Sequence, residues 1–141
     1  MKNPRVTQKE KGLIKGALRR VFSRSDLRKA ILEASIEMYS DPTRARVKKW
    51  SRCNACKLLH PTYTCEVDHI SPVVKFDEKS VELDANTLVD RIWCEENNLQ
   101  VLCSPCHDEK TAQESRERKA VRDKNKPPKV KKTKVKKGST K

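Results

Sequence analysis

The chain of 141 residues carries 33 Lys/Arg against 19 Asp/Glu, a net charge of +14, and 37% of it is charged while only 4% is aromatic. That length suits one domain, and its 29 Leu, Ile, Val and Phe residues make a core lean enough to need disulfides, a metal or oligomerisation. No apolar leader follows Met1 and no stretch is long enough to span a membrane, so the expectation is a cytoplasmic protein with a polyanionic partner, nucleic acid ahead of a membrane surface.

Leu13, Ile14, Ala17, Leu18, Val21 and Phe22 recur at helical spacing. Ser23 and Ser25 interrupt them, and either can cap a second stripe, Leu27, Ala30, Ile31, Ala34 and Met38, which ends before Asp41-Pro42. Residues 1–45 therefore read as an N-terminal helical segment. Its Arg19, Arg20, Arg24, Arg28 and Lys29 suit either a DNA-facing side or ordinary solvated faces. Residues 62–70 favour a strand, ended by Pro72. Ala85, Leu88, Val89, Ile92 and Trp93 predict a short helix capped by Asp84, and residues 99–102 a second brief strand. Ser104 as N-cap and Pro105 at the first helical position predict a last helix from 105 to about 120. Residues 122–141 hold ten Lys/Arg and one Asp. They bury too little to offset chain entropy and read as a disordered basic tail, with Lys129, Lys131, Lys132, Lys134, Lys136 and Lys137 as candidate phosphate contacts.

Cys53-x2-Cys56 and Cys103-x2-Cys106 supply the four thiolates that tetrahedral zinc takes. Without an export signal, metal is favoured over disulfides. A zinc ribbon has roughly fifteen to twenty residues between its pairs. Here 46 residues separate Cys56 from Cys103, so the loop holds something more. Zinc on four thiolates contributes on the order of 10 kcal/mol to folding, enough to matter for so lean a core. Cys65 and Cys94 read as buried small apolar residues, and His60 as a loop histidine beside a site that four cysteines already fill.

Inside the loop lie Glu66-Val67-Asp68-His69-Ile70 and then Asn98-Leu99-Gln100-Val101-Leu102-Cys103, running on to Cys106-His107. Neighbours on a strand point to opposite faces, so Asp68 and His69 reach one cleft only if the backbone turns before Pro72. Cys106 and His107 lie roughly 100° apart around a helix. If Cys106 faces zinc, His107 is held in place without being a ligand of that zinc.

With Val89-Asp90-Arg91-Ile92-Trp93-Cys94 and Lys110-Thr111, this run resembles the HNH endonucleases of the ββα-metal superfamily, especially small phage and mobile-element members with two CxxC knuckles. The resemblance spans residues 53–114. Asn97 and Asn98 are adjacent, a departure from the pattern, and Asn98 is taken because it stands directly before Leu-Gln. The resemblance implies that His69 is the general base for an attacking water. It implies that Asp68 and His107 hold one divalent cation, magnesium or manganese, and that Asn98 orients His69 or steadies its loop. The implied products carry a 5′-phosphate and a 3′-hydroxyl. Such chemistry is sound: a neutral imidazole serves near pH 7, and a cation neutralises developing charge. A helix starting at Pro105 presents free N–H groups to a phosphate, and Lys110, one turn beyond His107, is a candidate contact to the nucleic-acid backbone.

The expected molecule is a small α+β protein. It has a zinc-stapled ββα-metal (HNH) core within residues 46–121, two N-terminal helices and a disordered basic C-terminal tail. The expected function is metal-dependent endonucleolytic cleavage of DNA, by nicking or double-strand cutting, as a monomer or weak dimer. The alternatives are a non-catalytic zinc DNA-binding module and an accessory nuclease beside a phage terminase in DNA packaging, which would act in the host cytoplasm.

Overall fold

The computed structural model describes residues 6–78 and 84–126, so the tail lysines from Lys129 onward lie outside the described residues. Mixed helix and sheet make up the described chain: four α-helices and two small antiparallel sheets. No described helix is long and apolar enough to cross a membrane.

Helix α1 (Gln8–Phe22) starts from Thr7, whose hydroxyl accepts from the Glu10 N–H while the Glu10 carboxylate accepts from the Thr7 N–H. That reciprocal pair satisfies two of the donors a helix start leaves open. Ser25 caps α2 (Asp26–Ala34) through the Arg28 N–H. The second apolar stripe does not stay helical to Met38, however. The Ser35 N–H and hydroxyl both return to the Leu32 carbonyl and stop the helix. Ile36–Met38 become strand β1, and Met38 is 80% exposed. β1 pairs with β2 (Lys49–Arg52), with Ile36 opposite Ser51, and β2 pairs with β3 (Leu59–Pro61). A buried hydroxyl chain from Ser35 through Ser51 to Thr62 pins this register. Strand pairing thus overrides local helical spacing, and it ties the N-terminal segment into the sheet that carries the first cysteine pair.

The predicted strand 62–70 is also shorter. Thr62–Thr64 form a 3-10 turn, closed by Thr64 Oγ1 donating to the Pro61 carbonyl at 2.8 Å, and β4 begins at Cys65 (Cys65–His69). The next helix matches its spacing: α3 (Ala85–Ile92) is capped by Asp84, whose carboxylate accepts from the Thr87 N–H. β5 (Leu99–Cys103) lies antiparallel to β4, with Cys65 opposite Cys103 and His69 opposite Leu99. Helix α4 (Ser104–Lys124) follows at once. Ser104 is not its cap. Cys103 occupies that position, and the Ser104 hydroxyl donates to the Thr64 carbonyl at 2.8 Å, tying the helix start to the turn before β4.

Because side chains alternate along a strand, β4 and β5 present two different faces. Val67 and Leu99 face a core of Phe22, Leu88, Ile92 and Trp93 drawn from α1 and from α3 with its C-cap. Asp68 and Gln100 face α4. The inner side of α4 carries His107, Lys110, Glu114 and Arg118, at helical spacing and all half-buried. Its packed side is polar, so burial of apolar area does not hold this helix in place.

Candidate functional site

The four sulfurs of Cys53, Cys56, Cys103 and Cys106 lie within 4.8 Å of one another. A tetrahedral ion with Zn–S bonds of roughly 2.3 Å sets its sulfurs about 3.8 Å apart, and Cys56 and Cys103 are 4.0 Å apart. The group could therefore hold a zinc ion. Two turns make it. Between β2 and β3, Lys57 adopts φ 64° and donates its N–H to the Cys53 carbonyl, while Cys53 donates to Leu58. At the other end, the β5–α4 junction supplies Cys103 and Cys106.

Asn54 joins the two halves: its N–H donates to the Val101 carbonyl and its Oδ1 accepts the Val101 N–H. His60 Nε2 lies 3.4 Å from Cys56 Sγ, close enough to donate to a thiolate. Burial works against ionisation of Cys53, but the N–H groups of Cys103, Cys56 and Ala55 outweigh it and lower its thiol to about 6. The hydrogen bond from Cys103, and burial, push Cys106 up to about 12. The cluster thus favours a negative sulfur at Cys53 and disfavours one at Cys106. Cys65 is buried against the Pro61 carbonyl and Cys94 packs beside the Phe22 core, so both behave as small apolar residues.

His69 stands at the end of β4. Its Nε2 lies 2.9 Å from the Ile92 carbonyl oxygen, which can only accept, so Nε2 carries the proton. In the neutral ring Nδ1 is then the free base. The Phe22 ring, 5.1 Å away centroid to centroid, closes one side of the imidazole, and Trp93 packs edge-on to Phe22 at 5.7 Å. Asn98 belongs to the loop rather than the ring. Its Oδ1 accepts the Ser71 N–H at 2.9 Å and its carbonyl accepts the Ile70 N–H at 2.8 Å, clamping the segment after His69. Asn97 is exposed, Asn98 half-buried.

Asp68 leaves β4 on the opposite face. Its Oδ2 is 2.9 Å from Lys110 Nζ and 3.4 Å from Gln100 Nε2. Lys110 Nζ also donates to the His69 carbonyl at 2.9 Å and pairs with Glu114. Burial opposes that charge, yet Glu114 and Asp68 together raise the Lys110 ammonium above its ordinary value. His107 Nδ1 has Glu66 as its acidic neighbour, at 3.6 Å. Among the described contacts, no hydrogen bond or ion pair joins Asp68 to His69 or to His107. Asp68 turns to Lys110 on α4, His69 to the Ile92 carbonyl on the other face of β4, and His107 to Glu66, so the one cleft expected for them is not drawn together by direct contacts.

Several participants carry little or no signal in the sequence. Glu66 could have been found from strand alternation, two residues before Asp68. Glu114 could have been found as i+4 from Lys110. The Ile92 carbonyl and Phe22 have no local signature, since each reaches His69 only through the fold. Compared with known proteins, the chain matches no family model, no curated protein and no solved structure.

Proposed function

We propose that the protein is a metal-dependent HNH-type endonuclease that hydrolyses DNA phosphodiester bonds, with β4, β5 and α4 as its ββα core. The observation that carries the reading is His69: a half-buried imidazole at a strand end, whose Nε2–H donates to a backbone carbonyl, leaving Nδ1 as the base. Asn98 clamps the loop that follows this histidine, which supports a ring held in one place.

In this reading His69 accepts the proton of the attacking water at Nδ1. Phe22 and the Ile92 carbonyl fix the ring and its tautomer. Asn98 keeps the chain after His69 from moving as the proton transfers. Asp68 and His107 would hold a magnesium or manganese ion, the carboxylate being the donor that suits such hard cations. That ion, when bound, supplies Lewis-acid stabilisation of charge on the phosphate and leaving oxygen. The four cysteines would hold zinc as a staple, apart from the chemistry.

A second reading, a non-catalytic zinc DNA-binding module, is favoured by the Lys110 ammonium already lying on Asp68. Plasmid relaxation separates the two. With magnesium or manganese, wild type is expected to nick supercoiled DNA, and His69→Ala to lose roughly 10²–10⁴-fold of that rate while keeping its zinc content. Equal rates in both proteins would reject His69 as the base. No nicking by wild type over a series of metals would favour the binding module. Work beside a phage terminase is a narrower version of the nuclease reading, tested by co-purification with a packaging ATPase.

A further inference from the structure

The inner face of α4 places a cation where the nuclease reading needs a cation site. The Lys110 ammonium contacts the Asp68 carboxylate, the His69 carbonyl and the Glu114 carboxylate at once. Its side chain is 24% exposed, and those of Asp68 and Glu114 are 20% and 25% exposed. Two carboxylates this poorly hydrated need a positive partner. Asp68 and Glu114 therefore share one ammonium from two different elements.

We infer that Lys110 is the resident counter-ion of Asp68, holding that carboxylate until a divalent cation takes it and then pairing with Glu114 alone. The inference rests on the reading of Asp68 as a cation ligand. Lysine suits the task better than arginine. Its compact charge sits on a flexible stem, so the ammonium can change partner without moving α4. Glu114, at i+4 on the same helix, stays within reach after Asp68 is surrendered. The arrangement keeps the β4 end and the His69 carbonyl ordered when no cation is bound. It also sets a threshold, because the incoming ion must compete with a charge already in place.

Manganese binding to the zinc-loaded full chain tests this, read by electron paramagnetic resonance rather than by cleavage. Asp68→Asn is expected to lose the site. Lys110→Met is expected to bind manganese about tenfold more tightly, because a competing charge has gone. Glu114→Gln is expected to bind more weakly, because the displaced ammonium has lost its second berth.

The double variant decides the mechanism. If Glu114 acts through Lys110, the loss caused by Glu114→Gln disappears in the Lys110→Met background. An equal loss in both backgrounds means simple charge attraction and overturns the inference. So does unchanged or weaker binding by Lys110→Met. Should Lys110→Met fail to fold, unchanged binding by Glu114→Gln alone rejects the proposal. Identical binding by Asp68→Asn and wild type removes the cation role of Asp68, and the inference falls with it. Loss in Asp68→Asn without tightening in Lys110→Met rejects the inference and leaves the nuclease reading standing.

Discussion

A single carbonyl decides what His69 can do. Were Nε2 free, either nitrogen could carry the proton, and the ring's lone pair could face either of two directions. The Ile92 oxygen at 2.9 Å removes that freedom. Long-range proton–nitrogen NMR on the full chain is expected to show the neutral ring protonated at Nε2, and a signal from the Nδ1–H tautomer would contradict the geometry. Asn98 makes a different contribution. Asn98→Ala leaves the Ser71 N–H without its acceptor and is expected to cost about 1 kcal/mol, measured by urea unfolding. The histidine tautomer should survive that change, because its partner lies on α3.

At the scale of elements, two ends of one loop are drawn together by cysteine, and metal should stiffen the strands between them. One zinc per chain is expected by elemental analysis. Stripping it with chelator is expected to abolish amide protection in β5 while leaving part of α1, whose capping box is local. Retained β5 protection in the stripped protein would mean that the strands stand without the ion.

Acidity follows from the same group. Zinc requires thiolates, and Cys53 is held at about 6 while Cys106 is pushed up to about 12. Below the usual thiol range a depressed Cys53 helps the metal-free fold and loses that help as pH falls toward 6, while above that range the raised Cys106 opposes it. Zinc loading at pH 7.5 must still expel protons from the raised thiols of Cys103 and Cys106. Calorimetry in buffers of different ionisation enthalpy is expected to show that release, and zinc affinity is expected to fall steadily on acidification. A buffer-independent enthalpy would rule out proton expulsion.

The same elements show what was legible in the sequence. The cysteine pairs, α3 with its Asp84 cap and β5 could be read directly, because their spacing and caps are local signals. β1 could not, because Ile36–Met38 gains its extended shape from pairing with β2 rather than from its own residues. Nor could the true partner of Ser104, which looks like a cap and instead binds the Thr64 carbonyl. Asp68, His69, Asn98 and His107 are candidates by type and order alone. Their contacts, with Lys110, Ile92, Ser71 and Glu66, depend on segments far away along the chain.

Over the whole molecule, positive charge is spread unevenly, and seven lysines lie beyond residue 127. If they neutralise phosphates, removing residues 127–141 is expected to weaken DNA binding and flatten its salt dependence, the logarithmic slope falling by about 0.9 for every phosphate of duplex DNA that the tail had neutralised. The zinc content should not change, since the cysteines all precede the cut. An unaltered salt slope would assign the electrostatic attraction to the folded part instead. The Asn54–Val101 bridge has a consequence for synthesis. The first knuckle leaves the ribosome some fifty residues ahead of the second, yet its asparagine finds both partner atoms only on β5. Cys103 follows Val101 within that strand, and His107 follows one residue after Cys106. Translation therefore delivers the strand partner, the last sulfurs and the second histidine almost together. A nascent fragment ending before them lacks the means to close the site.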